Sequence, residues 1–159
     1  MAIKYKAIGI IRSPFSTIEG MPIQAKAAKG IKGTVEVNDK FTDALKDLDG
    51  FSHIFLIYHL HKSKGYTNQV TPFLDTHIRG LFATRAPRRP NPIGLSVVKL
   101  TGISGNILEI ENVDVLDRTP LLDIKPYISA FDSFQTEKDG WVKFASENMD
   151  DVKSDKRFD

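Results

Sequence analysis

The alternation of apolar and polar positions divides most of this chain into short extended segments. Ile3 to Ile11 is rich in β-branched residues and runs up to Ser13-Pro14, a strand closed by a turn. Ile31 to Val37 (I-K-G-T-V-E-V) alternates and predicts a second strand. Phe41, Ala44, Leu45 and Leu48 recur at helical spacing before Gly50, which predicts a short helix. His53 to Leu60 is almost continuously apolar. A run this short and this rich in Ile and aromatics predicts a central buried strand. Lys62 to Thr76, with Gly65, Asn68 and Pro72, predicts a long loop of the kind that often carries function. Ile78 to Thr84 predicts a further strand. Leu95 to Ile103 and Ile107 to Val115 flank Ser104-Gly105-Asn106 as a β-hairpin. In its second arm Leu108 and Ile110 share one phase, Val113 and Val115 the other, so a bulge is expected near Asn112. Leu121 to Tyr127 predicts a last short strand.

Strands outnumber helices and no regular βαβ alternation is present. The expected fold is mainly β, a single antiparallel or mixed β-barrel with one or two short helices, rather than a Rossmann fold. A chain of 159 residues makes one domain, or one domain with a short appendage, and buries a real core without staples.

Composition narrows the chemistry. There is no cysteine, which excludes disulfides, thiolate zinc sites and a cysteine nucleophile and fits a reducing compartment. A net charge of +2 is too small for a wholly basic nucleic-acid binder, so local clustering decides. Arg79, Arg85, Arg88 and Arg89 form one such cluster. The tail from Glu147 to Asp159 mixes both signs and reads as a solvated end. The N-terminus lacks the apolar core and cleavage site of a signal peptide, and no apolar run reaches the roughly 18 residues of a spanning helix. No membrane association is expected, and the cytoplasm is the default location.

Familiar catalytic motifs are missing: neither a glycine-rich dinucleotide or phosphate loop, nor H-E-x-x-H, nor a G-x-S-x-G elbow is present. His59 and His61 would share one face of a strand, but no further ligand is placed, so no metal is expected. Asp114, Asp117 and Asp123 could be catalytic carboxylates, but turn and strand-end Asp is the more frequent explanation, and no catalytic residue is assigned.

Phe82 to Ser96 (F-A-T-R-A-P-R-R-P-N-P-I-G-L-S) is the most informative stretch. Pro87, Pro90 and Pro92 fix their own φ and push Ala86, Arg89 and Asn91 toward extended backbone. A stiff loop between two strands results, preorganised for binding. Its carbonyls, left without local N–H partners, are candidates for a ligand's amino groups. Gly94 permits close backbone approach, and three arginines offer donors to a carboxylate or phosphate. The same residues also read as a structural loop with solvated arginines.

This segment resembles the signature A-T-R-x-x-x-R-P-N-P-I-G-L-S of the TsaA/TrmO family. Ile8 to Phe15 (I-G-I-I-R-S-P-F), Met21 to Gln24 (M-P-I-Q), Asp49 to Ser63 and Asp114 to Tyr127 (D-V-L-D-R-T-P-L-L-D-I-K-P-Y) resemble its other blocks in order and spacing. The match spans residues 3–132, leaving 133–159 as an appendage or tail. Members can carry a further C-terminal domain, so the resemblance implies a core with at most a reduced appendage around Trp141 to Phe144. It implies a homodimeric β-barrel that binds S-adenosylmethionine and methylates N6 of a threonylcarbamoylated adenosine beside the tRNA anticodon. By position, cofactor contacts are expected at Pro22, Ile23, Gln24, His61, Lys62, Arg85, Leu95, Leu116, Asp117, Arg118 and Thr119. Candidates for RNA phosphates are Arg79, Arg88, Arg89 and Lys125. A small-molecule methyltransferase and a non-catalytic cofactor-binding module are the alternative readings.

Overall fold

Six of the extended segments close into an antiparallel barrel. In the computed structural model, which describes residues 1–144, 153–155 and 157, these are β1 (Gly9–Arg12), β2 (Lys32–Val37), β3 (His53–His59), β6 (Ile93–Ser104), β7 (Ile107–Glu111) and β8 (Thr119–Pro126). Around the barrel the order is β1-β2-β7-β6-β3-β8. Closure leaves none of these six strands as an open edge. The pleat sends every second residue inward, and most of those positions are apolar: Ile11, Val35, Val37, Ile54, Leu56, Val98, Leu100, Leu108, Ile110 and Leu121 form one buried core. Each such side chain contributes roughly 1.5–3 kcal/mol by leaving water. Two short strands, β4 (Gln69–Val70) and β5 (Arg79–Gly80), pair separately and lie on either side of the loop that precedes the arginine segment.

Several sequence expectations are corrected. The first strand covers only Gly9–Arg12, and Ile3 and Tyr5 are exposed outside the sheet. Alternation alone cannot supply a pairing partner. The expected helix is a 3-10 turn over Asp39–Leu45 followed by a second over Leu48–Gly50. Asp47, in left-handed backbone at φ 66°, separates them. The strand β3 is central, between β6 and β8, but it buries only Ile54, Leu56 and Tyr58. A barrel wall has one interior face, so the apolar residues between them point outward. The expected strand from Ile78 to Thr84 is reduced to β5 and a 3-10 turn at Leu81–Ala83. The hairpin is present, with Gly105 at φ 59° in its turn, but its second arm ends at Glu111 rather than Val115. The phase slip after Ile110 is also present, but Asn112 makes it as a left-handed residue at φ 68° beyond the end of β7. The ladder's own irregularity lies on β6, between Leu100 and Gly102.

The described part of the tail is docked through the buried Ser154, while Lys153, Asp155 and Arg157 stay exposed as expected of a solvated end. Lys153 bridges Pro22, and the Ser154 N–H donates to the Met21 carbonyl at 2.9 Å. The Ser154 hydroxyl donates to the Ile18 carbonyl, and Ser154 is buried. Arg157 donates to the Pro72 carbonyl at 2.7 Å and lies over the Phe73 ring. The rest of that expectation, residues 147–152, 156 and 158–159, lies outside the described residues. The turn Gly140–Phe144 docks through Trp141, whose indole N–H donates to the Ala83 carbonyl at 2.8 Å.

Candidate functional site

One end of the barrel collects most of the sequence candidates. There β3 finishes while β6 and β8 begin: His59 pairs with Ile93, and the Leu60 N–H donates to the Pro92 carbonyl at 2.8 Å. His61 follows, with Nδ1 3.4 Å from the Thr119 hydroxyl at the start of β8. Burial lowers the His61 pKa, and Lys62 and His59 beside it act in the same direction. Leu116, Asp117, Arg118 and Thr119 form a tight turn in which the Thr119 hydroxyl donates to the Leu116 carbonyl at 2.7 Å. Arg118 sits in left-handed backbone, φ 63°, an uncommon state for a non-glycine residue that the neighbouring structure must hold in place. Asp117 fastens this turn to the segment that follows β1: its N–H donates to the Phe15 carbonyl at 2.8 Å, and its Oδ1 accepts from the Ser13 N–H at 3.2 Å.

The Pro22–Gln24 segment leads into a 3-10 turn, Ala25–Ala28, anchored by the buried Ala25 and Ala28. Across from it, Arg85 Nη1 donates to Gln24 Oε1 at 2.6 Å. Residues 61 positions apart in sequence are thereby joined. Several carbonyls of the arginine loop, expected to be left for a ligand, are taken up within the protein. Pro87 accepts from the Ser63 hydroxyl at 2.9 Å, and Arg89 Nη1 donates to the Thr84 and Ala86 carbonyls at 3.0 and 3.3 Å. Those loop carbonyls, with Pro92, have partners inside the protein.

The four cations expected to face RNA are not equivalent. The Arg89 guanidinium also lies over the Phe82 ring, 5.6 Å from its centroid, and Phe82 is 79% exposed. Arg79 donates from Nε to Asp75 at 2.5 Å and lies over Trp141 at 5.9 Å. Arg88 lines a surface cavity of about 490 Å3 with Thr67, Gln69, Asp75 and Arg157. Lys125 stands apart: it pairs with Asp123 at 2.8 Å, and its register opposite Phe55 puts it well down β3 from the His59 end. Leu95 lies on the outer wall, 57% exposed. Neither this cavity nor a second of about 340 Å3, lined among others by Ile8, Phe41 and Ile124, includes Gln24, Arg85, Leu95 or Asp117. No metal cluster is present among the described residues.

Residues 10–133 match the family described as the tRNA-methyltransferase O N-terminal domain. The chain belongs to this family. A probable S-adenosyl-L-methionine-binding protein of Pyrococcus abyssi is 51% identical over 158 residues, 99% of this chain and 86% of that one. A tRNA (adenine(37)-N6)-methyltransferase of Mus musculus is 35% identical over 136 residues, 80% of this chain and 31% of that one. The crystal structure of TrmO from Pseudomonas aeruginosa superposes with a TM-score of 0.75 at 36% identity, covering 89% of this chain. This chain spans 63% of that solved chain.

Beneath Gln24 and Arg85, this tRNA-methyltransferase O N-terminal domain holds a polar chain that reasoning from sequence missed. The Tyr58 hydroxyl lies 2.9 Å from Ser96 Oγ, and Ser96 Oγ donates to Asp114 Oδ1 at 2.6 Å. Burial pushes the Asp114 carboxyl up to about 6, opposed by the Ser96 hydroxyl, the Ala25 N–H and the charge of Arg85. Burial also raises the Tyr58 phenol. A signal was available: Tyr58 and Ser96 are the polar members of the inward sets Ile54–Leu56–Tyr58 and Ser96–Val98–Leu100. Their joining to Asp114 needed the barrel.

Proposed function

We propose that this chain is a methyltransferase that uses S-adenosylmethionine and methylates N6 of the threonylcarbamoylated adenosine next to the tRNA anticodon. The observation that carries this reading is the Gln24–Arg85 pair, flanked by two arginine–aromatic stacks on the same loop system. The donor set suits the cofactor. Arg85 offers a guanidinium to its carboxylate through a charge-assisted bond. Asp117 offers an acceptor to its ammonium or ribose hydroxyls. Pro22, Ile23 and Gln24 read the adenine edge and Leu95 packs on its face. His61, Lys62, Leu116, Arg118 and Thr119 complete the wall. When bound, the cofactor supplies an activated methyl group. The protein's part is to align donor and acceptor for an in-line displacement, where positioning provides most of the rate.

The RNA side of the reading uses stacking. Unpaired bases bind by stacking on aromatic rings and guanidinium planes, with cations on the phosphates. Phe82 under Arg89 offers such a surface, and Arg79 against Trp141 a second. Arg88 adds charge beside them, and Lys125 would meet more distant phosphates. The exposed Ile93 and Leu95 on the outer wall support a homodimer in which the second chain covers this face. Residues 3–132 then form the catalytic barrel, acting in the cytoplasm, with 133–159 as an appendage.

Incubation with cofactor carrying a labelled methyl group and tRNA bearing the threonylcarbamoyl group tests the reading. Label is expected in that adenosine. Cofactor binding with no label there would overturn it.

A further inference from the structure

The described end of the tail touches two loops that lie outside the barrel strands. Ser154 meets the first through three bonds. The Gly20 N–H donates to the Ser154 carbonyl at 2.9 Å, the Ser154 N–H donates to the Met21 carbonyl at 2.9 Å, and the hydroxyl of the buried Ser154 donates to the Ile18 carbonyl. Beside them Lys153 bridges Pro22 in antiparallel fashion. Arg157 meets the second loop. Its Nη1 donates to the Pro72 carbonyl at 2.7 Å, and its guanidinium lies 5.0 Å from the centroid of the Phe73 ring. Asp155 aims that guanidinium, accepting from Nε at 3.0 Å and from Nη2 at 2.8 Å.

Both contacts lead back to the candidate cofactor site. Pro22, which Lys153 bridges, opens the Pro22–Gln24 segment. Phe73 packs against the small cluster of Val70, Leu81 and Ala86, and Ala86 follows Arg85. Arg85 in turn donates to Gln24 Oε1 at 2.6 Å. The two loop systems are therefore tied twice, once by the Gln24–Arg85 bond and once by the tail. The ties differ in chemistry. The first is made by side chains that the cofactor reading assigns to the ligand, so a bound carboxylate draws on the same guanidinium. The second uses backbone groups, the Ser154 hydroxyl and Arg157, and it stays in place when the ligand engages the first.

We propose that Ser154 and Arg157 are positioning residues of the cofactor site, strapping the entry of the Pro22–Gln24 segment to the loop at Pro72–Phe73, and that tail docking and cofactor binding favour each other. The inference rests on the reading of Pro22–Gln24 and Arg85 as cofactor contacts. Such coupling is reciprocal: the factor that the docked tail adds to cofactor affinity is the factor that the cofactor adds to tail docking. A hydrogen bond from a charged donor is worth roughly tenfold or more in an equilibrium, which sets the size to expect.

The test joins calorimetric titration of the full chain with S-adenosylmethionine to amide hydrogen exchange read by NMR at Gly20 and Ser154, the two N–H donors between strap and loop. Arg157→Ala is expected to bind the cofactor about tenfold more weakly, with little change in thermal unfolding, because Arg157 is exposed and outside the barrel core. Arg157→Lys keeps a cation for Phe73 and a donor for Pro72, and it is expected to recover most of the loss. Ser154→Pro removes the N–H and the hydroxyl together and is expected to weaken binding at least as much as Arg157→Ala. In the wild type, saturating cofactor is expected to slow exchange through local opening at Gly20 and Ser154 by a factor at least as large as the affinity lost in Arg157→Ala. Wild-type affinity in both Arg157→Ala and Ser154→Pro, or local exchange at Gly20 and Ser154 that the cofactor leaves unchanged, would overturn the inference while leaving the site reading standing. Failure of the wild-type chain to bind S-adenosylmethionine would instead overturn the site reading and the inference with it.

Discussion

The barrel interior and its loop-covered end are built on opposite rules. Around Ile54, Leu56 and Val98 the inward positions are apolar and fully buried, and dispersion and water exclusion hold them without any single partner mattering. Two residues further along the same strands, the inward positions become Tyr58 and Ser96, and each needs a named partner. Beyond them the loops are held by individual bonds: Arg85 to Gln24, Arg89 to two carbonyls, Asp117 to Ser13. Shape tolerates many sequences in the first region. In the second, geometry depends on chosen pairs, and such pairs can respond to pH and ligand.

Breaking the interior should have the largest effect on stability. Leu56→Ala is expected to lower unfolding stability by about 4 kcal/mol, since Leu56 is fully buried and cavities of this kind cost about 2–5 kcal/mol. Chemical denaturation measures it, and a loss below about 1 kcal/mol would mean that the core collapses around the gap.

The Asp114 end should show itself in the pH dependence. Its folded pKa of about 6 stands above the ordinary 3.8, so between these values the folded chain holds more protons than the unfolded one. Its contribution is therefore most favourable below about pH 4, declines as pH rises to about 6 and is level above. The total is about 3 kcal/mol at most. Subtracting the stability profile of Asp114→Asn from that of the wild type isolates this decline. A flat difference would show that Asp114 does not titrate there.

Gly94→Ala probes the junction between the regions. The new methyl must displace the Tyr58 ring and its bond to Ser96, so a loss of about 2 kcal/mol is expected, within the range for overpacking. Unfolding stability unchanged from the wild type would show that the ring yields freely.

The smallest effect belongs to the outer wall. Lys125 and Asp123 are exposed partners, and Lys125→Ala is expected to change stability by less than about 0.5 kcal/mol. If it nevertheless weakens tRNA binding in a gel-shift titration, the cause is lost contact rather than lost fold.

The strands of the barrel were legible because alternation is a local property, and it marks Val35–Val37, Leu108–Ile110 and the hairpin at Gly105 without reference to the rest of the chain. Where partners decide, reading failed. Ile3 to Lys6 alternates as well as a strand does, yet lies outside the sheet, and pairing begins only at Ile8, whose N–H donates to the Leu121 carbonyl, whereas Thr119 and Pro120 join β8 because β1 is there to receive them. The helical spacing after Phe41 gave two 3-10 turns with Asp47 in left-handed backbone between them, a break that the spacing does not announce. At the site, the arginine loop and the P-I-Q segment were visible as motifs, but the bond between Gln24 and Arg85 was not. Nor was the docking of Ser154 under Met21, since a mixed-charge tail looks solvated until a groove is offered to it.

By itself, then, the sequence determined the alternation that makes a one-faced β wall, the prolines that stiffen residues 86–92, and the blocks that carry the family resemblance, because each is fixed by neighbours a few bonds away. The tertiary structure alone decided which edges close into a barrel, which cations are held by Asp75 or by loop carbonyls, and that Tyr58, Ser96 and Asp114 share one chain of hydrogen bonds under Arg85. The physical reason is that burial and pairing act between residues distant in sequence. A carboxylate's partners and its charge are settled only when the segments that surround it have met.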